Sequence, residues 1–220
     1  MSGPQTFAPA RPGKEQLDSV LVQRNKQIQE ALASEAASLR QRGDFRWFFT
    51  LAHGEITRLI NKNIQSFQRP NSLMLLNIHF AEQFVRALWG QPHQGWQKAF
   101  NACQALQSNA EINPALIGEI EFCGAGMANV HILIDLSDAL DKVGCIPPED
   151  YGNMLVFVNH GSMAAVVDLR GRALGSLEMM VQYFFAPMVD LEVKVWRNAA
   201  YKDRCNVPVP DPNRTFRPRL

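Results

Sequence analysis

Apolar residues recur three or four positions apart through almost the whole chain, and glycine or proline interrupts them at about helix-length intervals. Leu17, Leu21, Ile28, Leu32 and Leu39 form the first stripe, and Phe45, Phe49, Ile56 and Ile60 the second. The interruptions fall at Gly43, at Pro70, at Gly90-Gln91-Pro92 and between Gly144 and Pro148. The spacing predicts helices over 14–42, 45–67 and 73–89, the third capped by Asn71 or Ser72. A short helix follows, with Trp96, Phe100 and Cys103 facing inward. The next runs over 114–143 from Pro114 at its first position. A sixth, capped by Glu149 or Asp150, reaches 172, and a last helical region covers 174–201 with a kink at Pro187. Residues 189–196 alternate apolar and polar, but no partner strand is evident and they are read as helix. The expectation is an all-α fold: one bundle of about six or seven helices with antiparallel neighbours. A disordered arm over 1–13 precedes the helical domain, 14–204, and an extended proline-rich tail, 205–220, follows it.

Composition narrows the class. The 220 residues are 46% hydrophobic and carry a formal charge of +1, enough for one substantial core. No basic run supplies a nucleic-acid footprint. No uninterrupted apolar run reaches membrane-spanning length, and the polar, proline-rich start is not a signal peptide. Cys103, Cys123, Cys145 and Cys205 are scattered without a Cys-x-x-Cys pair. They read as reduced thiols in a cytoplasmic protein.

The segment Asn129-Val130-His131-Ile132-Leu133-Ile134-Asp135-Leu136 carries the main chemical signal. On an α-helix His131 and Asp135 lie on one face, about a turn apart. Their stripe also holds Ile117, Gly124 and Ala128, and the rest of the helix is apolar nearly all round, as in the central helix of a bundle. Ionisable groups are costly to bury unpaired. One reading is a structural pair in which Asp135 accepts a hydrogen bond from His131 and fixes helix register. Another is an acid–base pair, the carboxylate orienting the imidazole and raising its basicity. A third is a shared metal ion.

Other polar residues sit at helical spacing. His79, Glu82, Gln83 and Arg86 line a narrow stripe of the third helix, either a solvent face or a second His–carboxylate set turned inward. His53 falls inside an apolar stripe between Phe49 and Ile56. Asn159 and His160 lie mid-helix among Phe157, Val158 and Met163, and Asn159 is the one expected to face inward. No Gly-x-Ser-x-Gly, phosphate loop, dinucleotide fingerprint or His-Glu-x-x-His is present.

The run Asn129-x-His131-Ile132-x-x-Asp135-Leu136 resembles the Asn-Ala-His-Ile-Asn-x-Asp-Leu signature of a helical domain family of unassigned function. Gly43-Asp44 before the aromatic 45–49 stretch is similar to that family's opening. Phe80-Ala81-Glu82-Gln83-Phe84, Trp96 with Phe100, Asp150-Tyr151 leading to Val158-Asn159, and Trp196-x-x-Ala199 resemble further segments, together covering about 41–201. Leu133 departs from the signature's asparagine. The resemblance implies a stand-alone helical domain with small-molecule chemistry in bacterial or fungal metabolism.

Three functions follow as expectations. The first is an enzyme of secondary metabolism acting on an apolar or amphipathic small molecule in an inter-helical pocket, by cyclase, isomerase or lyase chemistry. His131, Asp135, His79 and Glu82 would be its catalytic groups, and Asn129, Asn159, His53 and Arg86 would bind the ligand. The second uses His131, Asp135, His79 and Glu82 to hold iron or zinc in an oxygenase or hydrolase; the cofactor is either none or a divalent metal. The third is a non-catalytic binding or interaction module. The long first helix and the tail allow a homo-oligomer.

Overall fold

The computed structural model describes residues 15–90, 92, 94–107, 131–173, 198–199, 201–202 and 204–205. Six α-helices occur among them: α1 Ser19–Gln41, α2 Trp47–Asn63, α3 Pro70–Trp89, α4 Gln94–Gln107, α5 Ser137–Val143 and α6 Pro148–Ala173. A 3₁₀ turn, Ile64–Ser66, extends α2, and a π-helical turn, His131–Leu136, leads into α5. No strand occurs among the described residues, so the fold is all-α as the periodicity predicts. The arm over 1–13, residues 114–130 of the fifth predicted helix, the 174–197 helical region and the tail beyond Cys205 lie outside the described residues.

Local chemistry sets the ends. Asp18 starts α1 by accepting the Val20 N–H at 2.8 Å, which places the helix start later than the hydrophobic pattern alone suggests. Gly43 ends α1 at φ +70°: its N–H reaches Arg40 O and the Asp44 N–H reaches Leu39 O, the paired bonds of a Schellman motif. α3 begins at Pro70, where a missing N–H costs nothing. Asn71 is therefore not its cap. Its Oδ1 accepts the Asp18 N–H and its Nδ2 donates to Gln16 O, pinning the lead-in to α1. Asp150 does not cap α6, which starts at Pro148. Its carboxylate accepts the backbone N–H groups of Gln68 and Arg69 instead, at 2.9 and 2.8 Å.

α2 packs along α1 on one side and α6 on the other, and α3 joins α1 and α5. Gly161 of α6 permits the α2 contact, because a Cβ there would sit 2.6 Å from Ile56 Cγ1 and 2.9 Å from Ile56 N. Two apolar clusters result, and α2 contributes to both. One gathers Ile60, Leu73, Leu76, Leu140, Tyr151, Phe157 and Tyr201. The other gathers Leu39, Trp47, Phe49, Phe84, Trp96, Phe100 and Cys103. Trp96, Phe100 and Cys103 face inward as predicted. Each large side chain buried this way contributes on the order of 1.5–3 kcal/mol.

Candidate functional site

Asp135 sits in the π-helical turn and is only 4% exposed. The sequence spacing implied a regular α-helix here. A π turn instead closes i→i+5 hydrogen bonds, a geometry that recurs at functional sites. The carboxylate Oδ2 accepts the indole Nε1–H of Trp96, which crosses from α4 at 3.0 Å. A carboxylate in such surroundings needs a donor, since the low local dielectric that strengthens the bond also makes an unpaired charge costly.

Trp96 links Asp135 to His53. The imidazole of His53, 8% exposed, stacks on Phe84 with ring centroids 4.2 Å apart and an interplanar angle of 11°. Phe80 lies 5.5 Å from it and Trp96 6.2 Å. Phe100 stacks on Trp96 at 5.4 Å, and Phe49 meets Trp96 edge-on at 5.9 Å. Two ionisable residues named from the sequence thus share one aromatic cluster built by α2, α3, α4 and the π turn. Trp96, expected only as core, is the residue that connects them.

His131 opens the same π turn, but its side chain lies outside the described residues. Asn129 and the side chain of Asn159, which belongs to α6, lie outside them too. Ile134 is exposed, so the turn has an open side among the described residues, unlike the helix buried all round that the apolar pattern implied.

Glu82 turns toward α1, and His79 lies beside it. His79 Nδ1 lies 3.7 Å from Glu82 Oε2, and Glu82 is bound to Arg24; all three side chains are at least partly exposed. Arg86 is exposed, and so is His160. The second His–carboxylate set therefore forms an ion-pair patch with α1. Among the described residues no group of three or more His, Cys, Asp or Glu side chains converges as a metal site.

Several polar features escape a one-dimensional reading. Asn77 of α3 donates to Asn25 Oδ1 at 2.7 Å and to Thr57 Oγ1 at 3.3 Å. Asn25 in turn donates to Asn61 at 2.6 Å, Asn61 to Gln29 at 2.7 Å, and Thr57 Oγ1 to the backbone carbonyl of His53 at 2.9 Å. This chain of bonds joins α1, α2 and α3 and reaches the residue that carries the stacked imidazole. Beyond it, Asp44 and Arg46 form a hydrogen-bonded pair, and Arg46 Nη1 donates to Leu88 O at 3.1 Å. Burial alone would raise the Asp44 carboxyl, but the bonds and charge of Arg46, with Arg42 nearby, hold it below the usual carboxylate range. Burial pushes the Asp150 carboxyl up despite its two backbone N–H bonds.

The cysteines correct the sequence reading. Cys145 and Cys205 form a disulfide, with Cα atoms 5.7 Å apart across a separation of 60 residues. Nothing in the local sequence reveals the pair, because tertiary contacts bring the segments together, among them the packing of Tyr201 against Tyr151, its bond to Ile146 O and the Arg204–Asp141 pair. Cys103 is a buried thiol that takes no part in the disulfide, and Cys123 lies outside the described residues. No helix among the described residues is long and apolar enough to cross a membrane. Comparison with protein-family models, with curated proteins and with solved structures finds no match to this chain.

Proposed function

We propose that this chain is an enzyme that moves protons on an apolar or amphipathic small molecule, with His131 and Asp135 as its acid–base pair. The observation that carries the reading is the buried Asp135 carboxylate, held by the Trp96 indole on a π-helical turn beside an aromatic cluster. Asp135 fixes the tautomer of His131 and favours its charged form, and His131 takes or gives the proton. Phe80, the partly exposed ring of that cluster, offers an apolar edge to the rest of the substrate, backed by the buried His53 and Phe84 rings. Isomerisation, cyclisation and elimination all need a proton moved at carbon or at a hydroxyl, without a nucleophilic serine or cysteine. The disulfide supports surroundings more oxidising than the reducing cytoplasm expected from the sequence.

Proton abstraction next to a carbonyl is the simplest test. The protein is incubated in deuterated buffer with medium-chain ketones such as 2-decanone, and label uptake is followed by mass spectrometry. The wild type should exceed the protein-free rate, and His131→Ala and Asp135→Asn should lose roughly 10²–10⁴-fold of that excess while retaining a folded circular dichroism spectrum. Exchange at the protein-free rate across the ketones, or variants as active as wild type, would refute the assignment.

A further inference from the structure

A separate cleft of about 300 Å³ opens where the turn after α1 meets α3 and α4. That volume lies at the small end of ligand pockets. Its floor is the Asp44–Arg46 pair, one wall is Leu88 and Gly90 at the end of α3, and the other is Gln97, Phe100, Asn101 and Gln104 on α4. Its polar lining is distinct from the Asp135 cluster, although Phe100, Ala87 and Leu88 belong to the same apolar core as Trp96.

The floor is rigid. Arg46 Nε meets both Asp44 carboxylate oxygens at 3.0 Å, its Nη1 meets Leu88 O, and Trp89 and Phe100 lie 5.4 and 5.8 Å from its guanidinium carbon. A guanidinium has five N–H donors, and among the described residues these bonds, with Nη2 on Asp44 Oδ2 at 2.5 Å, use three of them. Its charge is already matched by Asp44, so an anion entering the cleft would meet a carboxylate beside the arginine. Gln97 and Asn101 are exposed on one face of α4, with Gln97 Nε2 3.4 Å from Asn101 Oδ1. Each amide both donates and accepts, as does Gln104. Gly90 is required where it stands, because a Cβ there would lie 2.5 Å from the backbone Arg86 O.

A charge-neutral floor with leftover guanidinium donors, a row of amides and an apolar edge matches a ligand that offers several hydroxyls and C–H faces at once. We propose that this cleft binds a neutral sugar or similar polyol, with Arg46 donating to a ring or hydroxyl oxygen and Asn101 and Gln97 bracketing adjacent hydroxyls. This assignment stands independently of the proton-transfer reading.

Saturation-transfer NMR and calorimetry on the full chain test it, with methyl glucoside, methyl galactoside, methyl mannoside and maltose as probes, and citrate and adenosine as controls. At least one saccharide should bind saturably, and Asn101→Ala and Gln97→Ala should each weaken it roughly tenfold, the effect of one lost hydrogen bond. Both positions are on the exposed face of α4, and an unchanged melting temperature confirms that the variants remain folded. Citrate or adenosine binding in place of saccharides, no saccharide binding at millimolar concentration, or saccharide affinity unchanged in both variants would each overturn the proposal.

Discussion

The indole N–H of Trp96 meets the Asp135 carboxyl group at 3.0 Å, so a residue of α4 satisfies a buried acceptor that belongs to the π turn before α5. Trp96 is fully buried, with Phe49, Phe84 and Phe100 against its ring. Replacing it with phenylalanine removes both the donor and part of the packing volume. Trp96→Phe should lose about 2–4 kcal/mol of stability, from the lost bond to a buried acceptor together with the space left behind. Urea denaturation measures this directly. A loss under about 0.5 kcal/mol, well below the usual effect of one such bond, would mean that the indole N–H does not support the carboxylate.

Two helix glycines should respond in opposite ways. A Cβ on Gly161 would press into Ile56 and to 3.0 Å from Ala52 O, backbone atoms that cannot yield cheaply. Gly161→Ala should cost about 1–3 kcal/mol as overpacking. At Gly54 the nearest atom to a new Cβ is Leu32 Cβ at 3.6 Å, an ordinary contact. Gly54→Ala should be neutral or stabilise by up to about 1 kcal/mol through helix propensity. Paired melting curves decide it, and equal shifts for the two variants would contradict the α2–α6 packing.

The Cys145–Cys205 bond closes a loop of about 60 residues. Chain entropy alone then predicts a loss of roughly 4 kcal/mol when it is removed. Cys205→Ser should unfold at lower denaturant than wild type, and dithiothreitol should shift the wild type but not the variant. Alkylation of unreduced, denatured protein followed by peptide mass mapping should leave Cys145 and Cys205 unlabelled while labelling Cys103. Label on Cys145 and Cys205 without reductant would remove the cross-link.

Two carboxylates give opposite pH signatures. The Asp44 pKa is lowered on folding, so its contribution is present above the ordinary value of 3.8 and fades as pH falls through the lowered folded value. The stability gap between wild type and Asp44→Asn should therefore shrink as the solution is taken below pH 3.8. The Asp150 pKa is raised, so its contribution is largest below 3.8 and is lost as pH rises through the raised folded value. The gap between wild type and Asp150→Asn should be wider in acid than at neutral pH. Denaturation midpoints across acid pH check both, and gaps of the same slope for both variants would contradict the assignments.

The apolar period was readable because burial of a stripe leaves its mark in spacing: Phe49, Ile56 and Ile60 on α2, and Trp96, Phe100 and Cys103 on α4, face inward as their positions imply. Gly43 was readable as a stop because a positive φ favours glycine. Asn71 and Asp150 were misread as caps, because their partners lie 53 and 82 residues away in sequence and only tertiary packing brings them near. The π turn leaves no trace in side-chain periodicity, since it is defined by which carbonyl each N–H reaches. The candidate site was legible in part. Asp135 and His53 stood out as ionisable groups in apolar stripes, whereas the linking role of Trp96 depends on how α4 crosses the π turn. The apparent stripe of His79, Glu82 and Arg86 has the same spacing whether it faces a pocket or a neighbouring helix, and the Arg24 pairing settles where Glu82 points.

The amide chain from Gln29 through Asn61, Asn25 and Asn77 to Thr57 acts as a combination lock for three helices. Sliding α1 by one turn, about 5.4 Å, still sets some apolar residues in apolar places, Leu17 in that of Leu21 and Ile28 in that of Leu32. The same slide strands the buried Asn25 and Asn77 amides without mates, and each stranded group costs about 1–3 kcal/mol. Greasy surfaces alone would tolerate several alignments of α1, α2 and α3; the asparagines admit one, and that alignment is the one that brings Gly54 against Leu32 and keeps the His53 ring beside Phe84.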